Sequence, residues 1–121
     1  MDARLREGIR LFNAGRFFES HETLENFYLE SADEHKPFLE GLVQLAAAFR
    51  IFCDFGEVKG PVRMIYQVLI RLENYQPAYL EIRVRELMES MEAWAKTAET
   101  GGSKDPTSIP KIRSSRFGFF L

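Results

Sequence analysis

Between Pro37 and Asp54 the chain reads PFLEGLVQLAAAFRIFCD. At about 100° per residue its apolar side chains point in almost every direction around a helix. A helix that is apolar all round is stable in water only when other helices surround it. The segment is interrupted by Glu40, Gln44, Arg50 and Asp54, too many polar groups for a membrane span. It therefore predicts the central element of an all-α protein. Ala46-Ala47-Ala48 gives that element a small surface which a neighbour can approach closely.

The punctuation on either side is helical as well. Asp2 is placed to cap a first helix over about Ala3 to Asn13, with Gly15 at its C-terminal end. A second helix runs from about Arg16 to Glu30. The polar run Ser31 to Lys36 separates it from the third, where Pro37 suits a first helical turn and Gly56 follows the end. Gly60 and Pro61 open a fourth helix that stops near Asn74, before Pro77. A fifth starts near Ala78 to Leu80 and presents Leu80, Val84, Leu87, Met91, Trp94 and Ala98 at spacings of three and four. No segment alternates with period two for long enough to read as a strand. The expected architecture is a compact bundle of about five helices over residues 1–100, with short connections between antiparallel neighbours, followed by an extended tail over 101–121.

With 121 residues the chain is the size of one domain, which buries roughly two thirds of its unfolded surface. Eleven phenylalanines point to an aromatic core. The net charge of -2 argues against general nucleic-acid binding. The charge is uneven: residues 1–100 carry 12 basic and 17 acidic side chains, whereas 101–121 set Lys104, Lys111, Arg113 and Arg116 against Asp105. Cys53 is the single cysteine, so no internal disulfide forms; its place near the end of the third helix reads as a small core residue. The charged start MDARLREGIR has no apolar leader, and the expected location is the cytoplasm. The tail ends Arg116-Phe117-Gly118-Phe119-Phe120-Leu121. Four large apolar residues in six predict docking, either on the chain's own bundle or, the favoured expectation, by exchange within a homodimer.

The chemistry is concentrated in FNAGRFFESHETLENFY, Phe12 to Tyr28. On the helical wheel Phe17, Phe18, Leu24, Phe27, Tyr28 and Leu29 form one broad apolar arc. His21 and Glu25 fall within it and Glu22 at its edge. Polar groups on a core-facing stripe must be paired, ligated or open to a pocket. Glu40 and Gln44, one turn apart on the third helix, are the expected facing pair. Three readings fit these five residues. One is a hydrogen-bond network locking the two helices. Another is a small-ligand or partner site lined by His21, Glu22, Glu25, Glu40 and Gln44. The last is a divalent-metal site with His21 and Glu25 as ligands and Glu22 as base, the half of a His-Glu-x-x-His zinc helix that is present. His35, between Glu34 and Lys36, reads as solvated. No phosphate loop or nucleophile elbow occurs. The leading expectation is a non-enzymatic module binding a protein or small molecule, and the alternative is a metal-dependent hydrolase.

The signature F-N-x-G-x-F-F-E-x-H-E-x-L-E over Phe12 to Glu25 resembles the domain of unknown function 309 family. Phe38-Leu39-Glu40-Gly41-Leu42-Val43-Gln44 with Ala46-Ala47-Ala48 is similar to the family's next block, and Gly56, Gly60 and the stretch from Leu72-Glu73 to Tyr79-Leu80 fit more loosely, so that the resemblance spans roughly residues 5–95. It implies a small all-helical bundle of unestablished function, to which a metal-dependent hydrolase label has been applied. Members often carry histidines where this chain has Phe49, Arg50 and Ile51, Gly-Asn in place of Gly56-Glu57, and Gly-Ile-Asp in place of Glu81-Ile82-Arg83. If those histidines and that aspartate complete a metal site in relatives, this chain lacks them, which lowers the hydrolase expectation.

Overall fold

The computed structural model describes residues 1–101 and 108–114. Five α-helices form the body: α1 (Ala3–Asn13), α2 (Phe17–Glu30), α3 (Lys36–Phe55), α4 (Lys59–Leu72) and α5 (Val84–Glu99). Each packs on the next along the chain up to α4 and α5, except that a short hairpin, β1 (Ala78–Tyr79) and β2 (Ile82–Arg83), intervenes before α5. The protein is an all-α bundle. Its middle is α3, which buries Phe38, Leu39, Leu42, Leu45, Ala46, Ala48 and Phe49. The caps follow local chemistry. The Asp2 carboxylate accepts the Arg4 amide at 2.8 Å at the start of α1, satisfying one of the donors that a helix start leaves open. Gly56, at φ +69, ends α3 in a left-handed conformation that costs glycine little.

The aromatic core is built from edge contacts. Phe12 meets Phe17 at 5.1 Å and Phe49 at 5.9 Å, and Trp94 of α5 meets Phe49 at 4.8 Å and Phe52 at 5.0 Å. Edge-to-face packing places positive ring edges on negative ring faces. One cluster thus ties α1, α2, α3 and α5 together.

Helices α1 and α2 touch at Gly8. A Cβ there would lie 2.5 Å from Leu24 Cδ2 and 2.7 Å from its Cγ. The fully buried Ser20 donates its hydroxyl to the Gly8 carbonyl at 2.7 Å. The buried residues of α2 are Phe17, Ser20 and Leu24. This corrects the broad apolar arc expected from the sequence: Phe18 is 42% and Leu29 61% exposed. The covered stripe is the one that faces α1, where Leu24 and Ser20 meet Gly8.

The fifth helix begins at Val84, not near Ala78 to Leu80. The amides of Val84 and Arg85 both donate to the Pro77 carbonyl, at 3.0 and 3.2 Å, so the start of α5 is capped by backbone seven residues upstream. The residues between form a two-residue turn, with Leu80 at φ 48 and Glu81 at φ 65, between Tyr79 and its partner Ile82. Both central residues at positive φ give the sense of turn that matches strand twist.

Part of the tail completes this hairpin. Ile82 bridges Ser114 in antiparallel sense, and the Arg83 amide donates to the Arg113 carbonyl at 2.9 Å. The Asn13 side chain acts as a strand mimic: its Nδ2 donates to the Ile112 carbonyl and its Oδ1 accepts the Ile112 amide, both at 2.8 Å. Lys111 Nζ donates to the Asn13 carbonyl. Ile109 and Ile112 join the main core. These contacts lie within one chain, and the Lys111 side chain is used in one of them, whereas Arg113 takes part through its backbone carbonyl. Phe117, Phe119, Phe120 and Leu121, on which the expectation of an exchanged tail rested, lie outside the described residues, as do Lys104, Asp105 and Arg116. No helix among the described residues is long and apolar enough to cross a membrane.

Candidate functional site in the α2–α3 cleft

Once Phe17, Ser20 and Leu24 face inward, His21, Glu25 and Tyr28 fall one residue further round the helix, on a stripe of their own. From α3, Glu40 and Val43 come up to meet that stripe. Together the five line a surface cleft of about 230 Å³. Its walls are half-buried at Tyr28 and Val43 and open at Glu25 and Glu40. His21 Nε2 lies 3.6 Å from Glu25 Oε2, too long for a hydrogen bond. Their side chains are 29% and 50% exposed, so the pair lines a cleft and is not the buried lock between helices that the apolar arc suggested.

The remaining expected residues divide. Glu40 faces the cleft and also meets Arg71 Nη2 of α4 at 3.4 Å. Gln44, one turn on, turns to α4, where its Nε2 donates to Gln67 Oε1 at 2.6 Å. Glu22 is exposed and is not among the residues lining the cleft. Among the described residues no three His, Cys, Asp or Glu side chains converge to hold a metal ion. Sequence reasoning missed Tyr28 as a wall and Val43 as a floor. The available signal was their spacing, three residues beyond Glu25 and Glu40 respectively.

Cations stand at the margins. Lys36 Nζ sits 5.7 Å from the Tyr28 ring centroid, and Arg71 is beside Glu40. Further along the same pair of helices, the Arg50 guanidinium lies over the Phe18 ring at 4.3 Å and near Phe55 at 5.7 Å. Its Nε stays 3.7 Å from Asp54. Two expectations are corrected nearby. Cys53 is exposed, because the last turn of α3 carries it outward; partial burial, and then the Asp54 charge, push its thiol pKa up, away from thiolate chemistry. His35 is not free in solvent: its Nδ1 is hydrogen-bonded to the Tyr79 hydroxyl, and the rings meet edge to face.

Residues 5–64 match the family model described as Domain of unknown function (DUF309). The chain carries a DUF309 domain. The match takes in both sequence blocks, Phe12 to Glu25 and Phe38 to Ala48, and every residue that lines the α2–α3 cleft. It ends at residue 64, so the looser correspondence around Leu72 to Leu80, where the hairpin begins, falls outside it. No curated protein matches the chain.

Proposed function

We propose that this DUF309 domain is a non-enzymatic binding module whose α2–α3 cleft receives a cationic group, from a small molecule or from a side chain of a partner. One observation carries the reading. Two half-exposed carboxylates, an imidazole and a phenol ring border one small opening; Glu40 also meets Arg71 at 3.4 Å, whereas among the described residues Glu25 has no close ion pair holding it to the fold. Among the described residues the ion pair of Glu25 is the loose one with His21. A cleft of about 230 Å³ suits an ammonium or guanidinium head. Carboxylate pairing with such a head is charge-assisted, and the excess acidity of residues 1–100 attracts cations over a longer range.

Calorimetric titration with arginine amide tests this. Wild-type protein is expected to bind in the millimolar range and the Glu25→Gln/Glu40→Gln variant at least tenfold more weakly. Melting temperatures should agree, since exposed ion pairs contribute only about 0–1 kcal/mol. Equal affinity of the two proteins would overturn the proposal. The competing hydrolase reading, with His21 and Glu25 as ligands and Glu22 as base, predicts a different outcome. It requires stoichiometric zinc, manganese or iron in protein purified without a histidine tag, and loss of that metal in His21→Ala.

A further inference from the structure

A larger cavity lies elsewhere on the bundle, where the first turns of α4 meet the last turn of α5. It is a groove open to solvent with a volume of about 720 Å³, within the roughly 300–1,000 Å³ usual for small-molecule sites. Along α4, Val58, Val62 and Tyr66 recur every fourth residue and make one apolar wall; Ala98 faces them from α5. Lys59 and Arg63 also line it, each one residue on from Val58 and Val62, so a cationic stripe runs beside the apolar one. Among the described residues neither cation makes an ion pair, whereas the one carboxylate of the lining, Glu99, already accepts a hydrogen bond from the Tyr66 hydroxyl. The start of α4 has no side-chain cap, and Pro61 and Gly60 add no polar side chain there. That start offers few amides, however: Pro61 has no N–H, the Val62 amide already donates to the Val58 carbonyl at 2.9 Å, and the Glu57 carboxylate lies beside Gly60, so recognition of an anion falls to Lys59 and Arg63.

We propose that this cavity binds a fatty-acid-class carboxylate, with the head group held by Lys59 and Arg63 and the alkyl chain lying against Val58, Val62, Tyr66 and Ala98. Two features agree independently on that chemistry: apolar walls and a pair of cations that make no ion pair among the described residues. A neutral apolar ligand would leave both cations without a role. A simple anion would leave the apolar walls wet. The site is separate from the α2–α3 cleft and stands or falls without it.

The test uses the full chain with decanoate, decanol and decyltrimethylammonium as probes. Calorimetry should show decanoate binding at least tenfold more tightly than decanol, and no competition from the ammonium. Amide shift perturbations should centre on Val58, Lys59, Val62, Tyr66 and Ala98. Lys59→Ala/Arg63→Ala, both exposed, should bring decanoate down to the affinity of decanol with the melting temperature unchanged. Ala98→Phe, which fills the cavity, should weaken both ligands while the helical circular dichroism is retained. Absence of decanoate binding, equal affinity for decanoate and decanol in the wild type, or full affinity in the double variant would each overturn the assignment.

Discussion

Replacing Gly8 by alanine tests the contact that sets the geometry of α2. Alanine is the better helix former by about 1 kcal/mol, so an exposed glycine in mid-helix would gain stability from the change. Here the new methyl would sit 2.5 Å from Leu24 Cδ2 and 2.7 Å from Cγ, more than 1 Å inside ordinary carbon contact. Leu24 is 1% exposed and cannot swing away without displacing its neighbours. Overpacking of this kind costs about 1–3 kcal/mol. The depth of overlap places Gly8→Ala near the upper end, and subtracting the propensity gain leaves about 2 kcal/mol of net destabilisation. For a chain of this size that lowers the melting temperature by about 8 °C. Chemical denaturation at 25 °C is the assay, run as a double-mutant cycle with Leu24→Ala. The cavity left by Leu24→Ala accepts the methyl, so the pair should be more stable than the sum of the single changes by at least about 1 kcal/mol. A Gly8→Ala protein as stable as the wild type, or strict additivity in the cycle, would refute the close-approach argument.

Two further outcomes follow from the termini of α1. Asn13→Ala removes both hydrogen bonds to the Ile112 backbone; it should cost about 1–3 kcal/mol and accelerate hydrogen exchange at the Ile112 amide, while Asn13→Asp should protect that amide less than the wild type because it can accept but not donate. At the other end, the Arg4 amide, the largest cause, holds the Asp2 carboxyl below its ordinary value of 3.8. A depressed pKa means that the folded state favours the ionised form, so this contribution is present above about pH 4 and is lost as the pH falls through the folded value. Asp2→Ala should therefore melt below the wild type at pH 7, and the gap should close by pH 2; a gap that persists in acid would count against an ionised cap.

The helices were legible because their signals are local. Gly15 and Gly56 mark ends, Pro37 marks a start, and the apolar spacing of α3, α4 and α5 needs no knowledge of neighbours. The wheel of α2 misled because it shows which residues are apolar and not which of them a neighbour reaches. Phe18 and Leu29 belong to the arc but are exposed, and His21 and Glu25 line a surface cleft. The hairpin was invisible for another reason. Leu80 and Glu81 carry no glycine signal for their positive φ, and residues 82–83 are held extended by backbone at Arg113 and Ser114, about thirty residues away. Ile109 and Ile112 read as linker because their core partners are equally remote in sequence.

Asn13 and Ile112, 99 residues apart, are joined by two hydrogen bonds, and a chain made at about 5–20 residues per second presents one about 5–20 s before the other exists. Over that interval the first helices are complete, yet the carboxamide of Asn13 has only water to bind. The core site for Ile109 and Ile112 stands open as well. The clasp between α1, the hairpin and the late segment is thus the last part of the described structure to close in a newly made chain, and the first helix carries its half of it throughout synthesis.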